Sequence, residues 1–481
     1  MKISFYGRVV RLAAVALLMM GNSGSVLAGA NHTIGPMASN LFGNDAPPLC
    51  AKYDGANLFI AANDGNGTEM CYWFKRCMNN ELFTFFRVGA RQVSYDTSNL
   101  NGFSSPAITW LNSTGSDNIG PVAIQGYGDF VGGNHRWCTA DENGNPGKGS
   151  YVDIRTATCD SVAISLDGND IPLNTIAYGR QVRVKVWNTL FDPLVEPGEG
   201  DAVLSSPLIG EFVTYNVEGG NIAVDVEHAY VKSVAVSRYY GMQSMFNGED
   251  SIMTPGGAYA SFVASAPKFY KADYPNFSRF IEHNVGGWCQ SSWMRPIDLG
   301  THYAIGANCT IYTRSSGKCY HVLIDNYPVQ QGDTLRWHGI YTWAMPLVND
   351  ADLLVYRGII DGRQALYVDA KQACDRVLAV PGAKALRVTD YAQNSAGATI
   401  EIGADDIHIS ASNPASFILV TRVSGDVNAD GMVDVDDVNA IINVILGTTM
   451  PSDYAGNADI DGSGIVDVDD VNAVINVILR K

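Results

Sequence analysis

The chain has 481 residues, of which 46% are hydrophobic, and it carries a formal net charge of −17. The acidic excess argues against a nucleic-acid ligand, because such ligands are held by surfaces rich in Lys and Arg. No apolar run reaches the ~20 residues that a membrane-spanning helix needs. The length allows two or three domains in addition to short terminal segments.

Residues 1–30 have the pattern of a secretory signal peptide. Three basic side chains precede a nine-residue apolar stretch at 12–20, and small residues follow up to position 30. This order of a basic start, a short apolar core and a small-residue cleavage site is typical of export signals. We therefore expect a secreted protein that is extracellular or attached to the cell surface through a partner.

Residues 31–345 have the sequence pattern of a mostly β domain. Strictly alternating or apolar segments are separated by turns rich in Gly, Asn and Asp, and no long helical periodicity occurs before residue 438. Many short strands with turn signals predict a β-sandwich or jelly roll rather than an α/β fold. The clearest predicted strands are 181–187, 212–217, 222–226, 318–324 and 334–343.

Residues 346–422 differ in composition from the segment before them. Trp and Tyr become rare, and short Ala-, Val- and Ile-rich segments follow one another. This stretch is either a small β domain or the closing strands of the larger one.

The nine cysteines could be disulfide-bonded or free, because export would expose them to an oxidising environment. Local disulfides such as Cys138–Cys159 or Cys309–Cys319 are one interpretation. The alternative is that several are small buried apolar side chains.

Five polar residues in glycine- or aromatic-rich surroundings are candidate catalytic groups. Aromatic rings stack on sugars, Arg and Gln can neutralise or bind a uronate, and His or Tyr can remove the proton α to its carboxylate. Each also has a structural interpretation, as a turn residue or an ordinary strand side chain, and no established catalytic motif is present. The candidates are His135, Arg238, Tyr240, Gln243 and His321.

Several of these positions also carry a faint family resemblance. Residues 110–345 resemble β-sandwich domains of secreted and phage-tail carbohydrate-active proteins. The residues that carry the resemblance are 116–121, 132–135, 239–243, 320–321 and 337–339.

The C-terminus contains two near-copies of a twelve-residue acidic loop that leads into an apolar segment. The loops are 426–437 and 459–470, and the predicted helices after them are 438–446 and 471–479. Each loop places oxygen-bearing groups at positions 1, 3, 5, 7, 9 and 12 and Gly at position 6, the ligand spacing of an EF-hand calcium loop. The first predicted set of calcium ligands is Asp426, Asn428, Asp430, the carbonyl of Met432, Asp434 and Asp437. The second is Asp459, Asp461, Ser463, the carbonyl of Ile465, Asp467 and Asp470.

With Asp at position 12 and a helix only after each loop, residues 423–481 resemble a type I dockerin domain. The resemblance implies that each half binds one calcium ion, two in all, and that the pair docks onto a cohesin-like domain of a scaffold or surface protein. The family often has Ser or Thr at loop positions 10 and 11, whereas both loops here have Val-Asp, at 435–436 and 468–469. Because the two halves share this pair, either half could meet the partner.

The charge of this segment fits a metal-dependent fold. Residues 425–481 contain 11 Asp, no Glu, and only Arg480 and Lys481 as bases. Without metal the carboxylates repel one another and the short helices are unstable alone, so we expect folding to depend largely on calcium.

Three functions are consistent with the sequence between the signal peptide and the C-terminal module, residues 31–422, which we call the body. The first is a polysaccharide-degrading enzyme, a lyase before a glycosidase, in which Arg238 or Gln243 neutralises a uronate and His135 or Tyr240 removes its α-proton. The second is a non-catalytic glycan-binding or adhesin module, and the third is a structural surface protein.

Overall fold

The protein is described here from a computed structural model. It describes residues 49–64, 68–77, 80–92, 100, 108–112, 118–124, 129–133, 138–140, 150–152, 155–191, 206–254, 259–261, 268–269, 279–296, 311–313, 318–360, 363–389, 397–421, 425–428, 433–448, 458–460, 463 and 465–479. The predicted signal peptide at 1–30 lies outside these residues.

The described residues form a long succession of strands followed by two helices. The strands before residue 200 are β1 (Leu49–Tyr53), β2 (Asn57–Asn63), β3 (Thr68–Cys77), β4 (Leu82–Gln92), β5 (Thr109–Trp110), β6 (Val122–Ile124), β7 (Asp129–Val131), β8 (Cys138–Ala140), β9 (Ser150–Val152), β10 (Ala157–Leu166), β11 (Asn169–Asp170), β12 (Ile176–Gly179) and β13 (Val182–Phe191). Those up to residue 345 are β14 (Pro207–Glu218), β15 (Asn221–Tyr230), β16 (Val234–Met245), β17 (Glu249–Met253), β18 (Tyr259–Ser261), β19 (Lys268–Phe269), β20 (Arg279–Asn284), β21 (Cys289–Pro296), β22 (Ile311–Thr313), β23 (Lys318–Val329) and β24 (Thr334–Ala344). The last are β25 (Val348–Asn349), β26 (Leu353–Ile360), β27 (Arg363–Ala370), β28 (Cys374–Ala379), β29 (Leu386–Val388), β30 (Ala398–Ile402), β31 (Asp406–Ala411) and β32 (Ala415–Thr421), and the helices are α1 (Val435–Ile445) and α2 (Val468–Leu479).

Three large sheets, antiparallel throughout their described pairings, build the body up to β24. The first has the order β12-β1-β2-β3-β4-β5, the second β11-β10-β13-β14-β15-β24-β21-β20-β17-β18, and the third β19-β22-β23-β16-β6-β7. The first and third sheets both pack on the ten-stranded one. Phe85 lies 5.3 Å from Tyr341 between ring centroids, and the indole N–H of Trp337 donates to the hydroxyl of Tyr239 at 2.8 Å.

The alternating sequence patterns explain the central strands. In β13, Val182, Val184 and Val186 are buried while Arg183 between them is exposed, as the period of two requires. Strands β14 and β15 contain the predicted strands 212–217 and 222–226, and they form a hairpin in which Glu218 pairs with Asn221 across two glycines. The prediction of a mostly β chain with a β-sandwich body and a small helical C-terminal module is confirmed.

Residues 348–421 form two smaller sheets with their own apolar core. The orders are β25-β26-β27-β32-β29 and β28-β31-β30. A buried arginine of β20, Arg279, connects this part to the large sandwich. Its guanidinium donates to the hydroxyl of Tyr356 at 2.9 Å and also contacts Asp369 and Ser416.

The described cysteines are free thiols, and all but Cys374 are buried. Cys159 and Cys319 are among these free thiols, so neither takes part in the disulfide considered for it; the side chains of Cys138 and Cys309 lie outside what the structure describes. For these residues the interpretation as small buried side chains is correct.

Both C-terminal helices begin three residues earlier than predicted. In α1 the side chain of Asp434 accepts the N–H of Asp436 at 2.9 Å, and Asp437 accepts the N–H of Asp434 in return at 2.9 Å. This capping box draws loop positions 10 to 12 into the first helical turn. No helix in the described part of the chain is long and apolar enough to cross a bilayer.

Candidate functional site

The carboxylate at position 12 organises each C-terminal loop. Asp437 is buried, and its Oδ1 accepts the N–H groups of Val427 and Asn428 at 2.7 and 3.1 Å. Asp437 therefore ties the start of the first loop to the first turn of α1.

The second loop repeats two of these contacts, since Ile460 is the counterpart of Val427 and Asp467 that of Asp434. Asp470 is buried and accepts the N–H of Ile460 at 2.6 Å and that of Asp467 at 2.9 Å. Asp467 in turn accepts the N–H of Asp469 at 2.8 Å, as an N-cap does. The sequence repeat is thus a structural repeat.

The structure places most, but not all, of the predicted calcium ligands. Asp426 and Asp437 are buried, whereas Asp434 and Asp459 are half-buried and Ser463, Ile465 and Asp467 are exposed. Asp430, Met432 and Asp461 lie outside the described residues. Among the residues that are described, no three His, Cys, Asp or Glu side chains form a metal-binding group. The complete ligand sets therefore stay a prediction.

The chemistry of the donors fits a hard cation. Asp426, Asp437 and Asp470 are buried carboxylates in a segment whose only bases, Arg480 and Lys481, are its last two residues. Buried carboxylates need a balancing positive charge, and an oxygen-rich loop supplies calcium with the ligands it prefers.

Exposed apolar side chains occur in matched pairs on the two halves of the module. Val435 and Val468 are each 64% exposed, and Ile442 and Ile475 are 39% and 38% exposed. The helices meanwhile bury a small shared core that includes Ile441. The module therefore presents two similar apolar surfaces that its own core does not use.

In the body, two of the predicted catalytic residues lie together. A guanidinium N–H of Arg238 donates to the hydroxyl of Tyr240 at 3.2 Å, and both side chains are half-buried on β16. The ring of Tyr240 contacts that of Tyr320 on β23, with centroids 4.9 Å apart. Lys318 lies 5.3 Å from the centroid of the Tyr320 ring. Strand β16 continues to Met245, so both residues lie within it.

Gln243 and His321 occupy more buried positions than Arg238 and Tyr240. Gln243 is buried on β16, and neither its side-chain oxygen nor its nitrogen has a hydrogen-bond partner among the described residues. His321 is also buried, contacts the ring of Phe280 and shares a hydrogen bond of 3.2 Å with the carbonyl of Ser292. Burial lowers the pKa of His321 to about 4, so this imidazole is neutral at pH 7.

His321 and Tyr320 point to opposite sides of β23, as neighbours on a strand do. The structure therefore separates His321 from the Arg238–Tyr240 pair. His135 lies outside the described residues. Lys318 is a neighbour of this pair that was not among the predicted residues. The alternation over 318–324 places it on the same side as Tyr320, but only the pairing of β16 with β23 brings it near Tyr240.

Comparison with known proteins bears mainly on the C-terminal module. Residues 424–479 match the family model of the dockerin type I domain. The C-terminal module is dockerin-like. Domains of this family generally bind calcium and dock to cohesins. No curated protein matches the chain.

Solved structures are similar to the body only at a low level. Galactose 1-epimerase from Lactobacillus acidophilus NCFM has 10% identity and a TM-score of 0.28, with 62% of this chain and 99% of that one covered. A heparinase III has 8% identity and a TM-score of 0.25 over 68% and 41%. The chondroitin AC lyase of Streptomyces coelicolor A3 has 9% and 0.17 over 78% and 49%. This chain spans less than half of the length of the last two proteins.

Proposed function

We propose that this is an exported, polysaccharide-active protein whose C-terminal module binds two calcium ions and docks onto a cohesin-type partner outside the cell. The observation that carries the docking proposal is the matched exposure of Val435 and Val468, each next to an exposed aspartate. Apolar side chains that a module's own core leaves exposed are suited to burial against a partner.

The repeat supplies a specific test with cohesin domains as the partner. If either half can meet the cohesin, Val435→Asp alone and Val468→Asp alone should leave most of the binding, whereas the double variant should lose it. The control pair is Asn439→Ala with Asn472→Ala, which changes exposed polar positions of the same helices. Isothermal titration calorimetry, with calcium present and with a chelator present, measures the affinity of each variant for the cohesin domain. Full binding by the double valine variant would refute the docking surface.

Calcium dependence is tested on the same protein. We propose that Asp426, Asn428, Asp430, Asp434 and Asp437, with the Met432 carbonyl, hold one ion and that the equivalent residues of the second loop hold the other. Helical circular dichroism should rise when calcium is added after chelation. A spectrum that ignores calcium would contradict the proposal.

For the body we propose cleavage of an acidic polysaccharide by β-elimination, with a hydrolytic glycosidase as the second choice. The Arg238–Tyr240 hydrogen bond supports this, because it places a cation that can hold a uronate carboxylate beside a phenol that can exchange a proton. We further propose that residues 31–345 form the functional sandwich and 346–422 a smaller closing unit. A glycan-binding or adhesin role remains the alternative, since half-exposed aromatic side chains serve stacking equally well.

The enzyme proposal is tested by incubating the full chain with acidic and neutral polysaccharides. A lyase produces the ultraviolet absorbance of an unsaturated uronate, whereas a glycosidase releases reducing sugar without it. Tyr240→Phe should lower turnover by roughly 10²-fold or more, the range of a lost general acid–base group. Arg238→Gln should also lower turnover, because the uronate carboxylate loses its cation. Tyr178→Phe changes an exposed tyrosine on β12 and is the control. Retention of a polymer without any product favours the binding alternative.

A further inference from the structure

A row of aromatic rings crosses the outer side of the first sheet. The ring centroids of Phe59 and Trp73 are 5.4 Å apart, and those of Trp73 and Phe86 are 5.0 Å apart. Trp110 on β5 continues the row, and Gly89 leaves room for it, since a Cβ there would lie 2.9 Å from the indole ring. Trp73, Phe86 and Trp110 are only half-buried. Phe59 is buried, so the exposed parts of the other three rings offer the aromatic surface to a ligand.

Two cations are held among these rings. Lys75 Nζ lies 3.7 Å from the centroid of Phe86 and 5.1 Å from that of Trp73. The guanidinium carbon of Arg87 lies 5.1 Å from Phe86 and 5.2 Å from Trp110. We call Phe59, Trp73, Phe86, Trp110, Lys75 and Arg87 the aromatic–cation face.

The charge of this face is opposite to that of the chain. The protein as a whole carries −17, yet no carboxylate within the described residues forms an ion pair with Lys75 or Arg87. The carboxylate of Asp54, at the nearby turn between β1 and β2, instead accepts the N–H groups of Ala56 and Asn57 at 2.8 and 2.6 Å. The two cations thus keep their charge available for an external anion.

An open cavity of about 480 Å³ adjoins the face. Lys75 lines it together with Arg76, Tyr53 and Asn57. Asn57 also fixes the indole of Trp73, whose N–H donates to the Asn57 side-chain oxygen at 3.0 Å. The cavity adds a third cation, a phenol and an amide, which suit anionic groups and hydroxyls.

We propose that the aromatic–cation face binds an acidic polysaccharide, with Trp73 and Trp110 stacking on sugar rings and Lys75 and Arg87 pairing with carboxylate or sulfate groups. Aromatic rings alone would suit neutral sugars equally well; the cations make the site selective for charge. This proposal deepens the proposed function, since it rests on the body recognising polysaccharide, and it names a binding surface formed by other residues than Arg238 and Tyr240.

The test measures binding of the full chain to polygalacturonate, to a sulfated glycosaminoglycan and to neutral dextran by affinity electrophoresis and calorimetry. We expect retention by at least one acidic polymer, weaker at high salt, and none by dextran. The double variant Lys75→Gln with Arg87→Gln should bind about tenfold more weakly, as expected when two partly screened ion pairs are lost. Lys185→Gln, a half-buried lysine on the outer side of β13, is the matched control and should bind as the wild type does. Equal melting temperatures establish that the variants fold.

The outcomes separate this inference from the function on which it rests. The proposal of the aromatic–cation face is refuted if the double variant binds with unchanged affinity or if dextran is retained equally well. The proposed function still stands in that case if the chain cleaves a polysaccharide. A chain that neither binds nor cleaves any polysaccharide overturns both. Carboxylated and sulfated polymers tested in parallel identify which anionic group the face prefers.

Discussion

Arg279 of β20 and Asp369 of β27 form a fully buried ion pair between the large sandwich and the 348–421 sheets. Because both charges are removed from water, each depends on the other for compensation. Arg279→Met should lower the free energy of unfolding by about 3–5 kcal/mol, the range for a buried charge that loses its partner. Urea denaturation followed by circular dichroism measures the change.

A double-mutant cycle separates the pair from general packing. Arg279→Met with Asp369→Leu removes both charges and should be more stable than either single variant, although the hydroxyls of Tyr356 and Ser416 lose a partner. Additive losses in the double variant would show that the pair contributes no coupling between the two parts of the body.

The two calcium sites should differ in affinity. The second loop has Ser463 where the first has Asp430, one carboxylate fewer, and affinity of such loops rises with ligand charge. Calorimetry of Asp426→Ala, which leaves the second site, should therefore give a weaker constant than that of Asp459→Ala, which leaves the first. The reverse order would contradict the assignment of position 5 as a ligand.

Local patterns predicted the elements of this fold but not their long-range pairing. The alternation at 181–187 and the two glycines after Glu218 were sufficient for β13 and the β14–β15 hairpin. No local signal predicts that β15 then pairs with β24, where Asn221 lies opposite Thr342. Such register depends on the packing of the whole sheet.

In the candidate sites, too, local sequence patterns predicted some features, whereas others depend on long-range strand pairing. Spacing by two along a strand is enough to place Arg238 and Tyr240 on one side of β16. The contact of Tyr240 with Tyr320 requires the pairing of β16 and β23, and the bulges in that pairing have no local sequence signal. In the C-terminal loops, the acidic residues at positions 9 and 12 serve as helix caps as well as predicted ligands. Because all twelve positions were assigned to the loop, the helices were predicted to begin after position 12.

The buried thiols should resist alkylation in the folded protein. Burial raises the pKa of Cys71 and of Cys77 to about 12, so almost no thiolate is present at neutral pH, whereas Cys374 is half-exposed. Iodoacetamide labelling followed by peptide mass spectrometry should modify the Cys374 peptide before the peptides containing Cys71 and Cys77, which should react only after denaturation. Rapid labelling of the latter in the native state would contradict the burial of β3.

A buried carboxyl group on β20, Glu282, should make stability depend on pH. Its side chain accepts a hydrogen bond from Ser244, and burial raises its pKa from 4.5 to about 8. The folded state therefore keeps this proton while the unfolded chain releases it, so the contribution of Glu282 to stability is complete below pH 4.5 and is lost as the pH rises toward 8. Glu282→Gln keeps the shape without the titration, so its stability relative to wild type should increase across that interval. Urea unfolding at several pH values in saturating calcium measures the difference, with Glu401→Gln, which changes an exposed carboxylate, as the control. A constant difference between Glu282→Gln and wild type would show that this carboxyl is ionised in the folded protein.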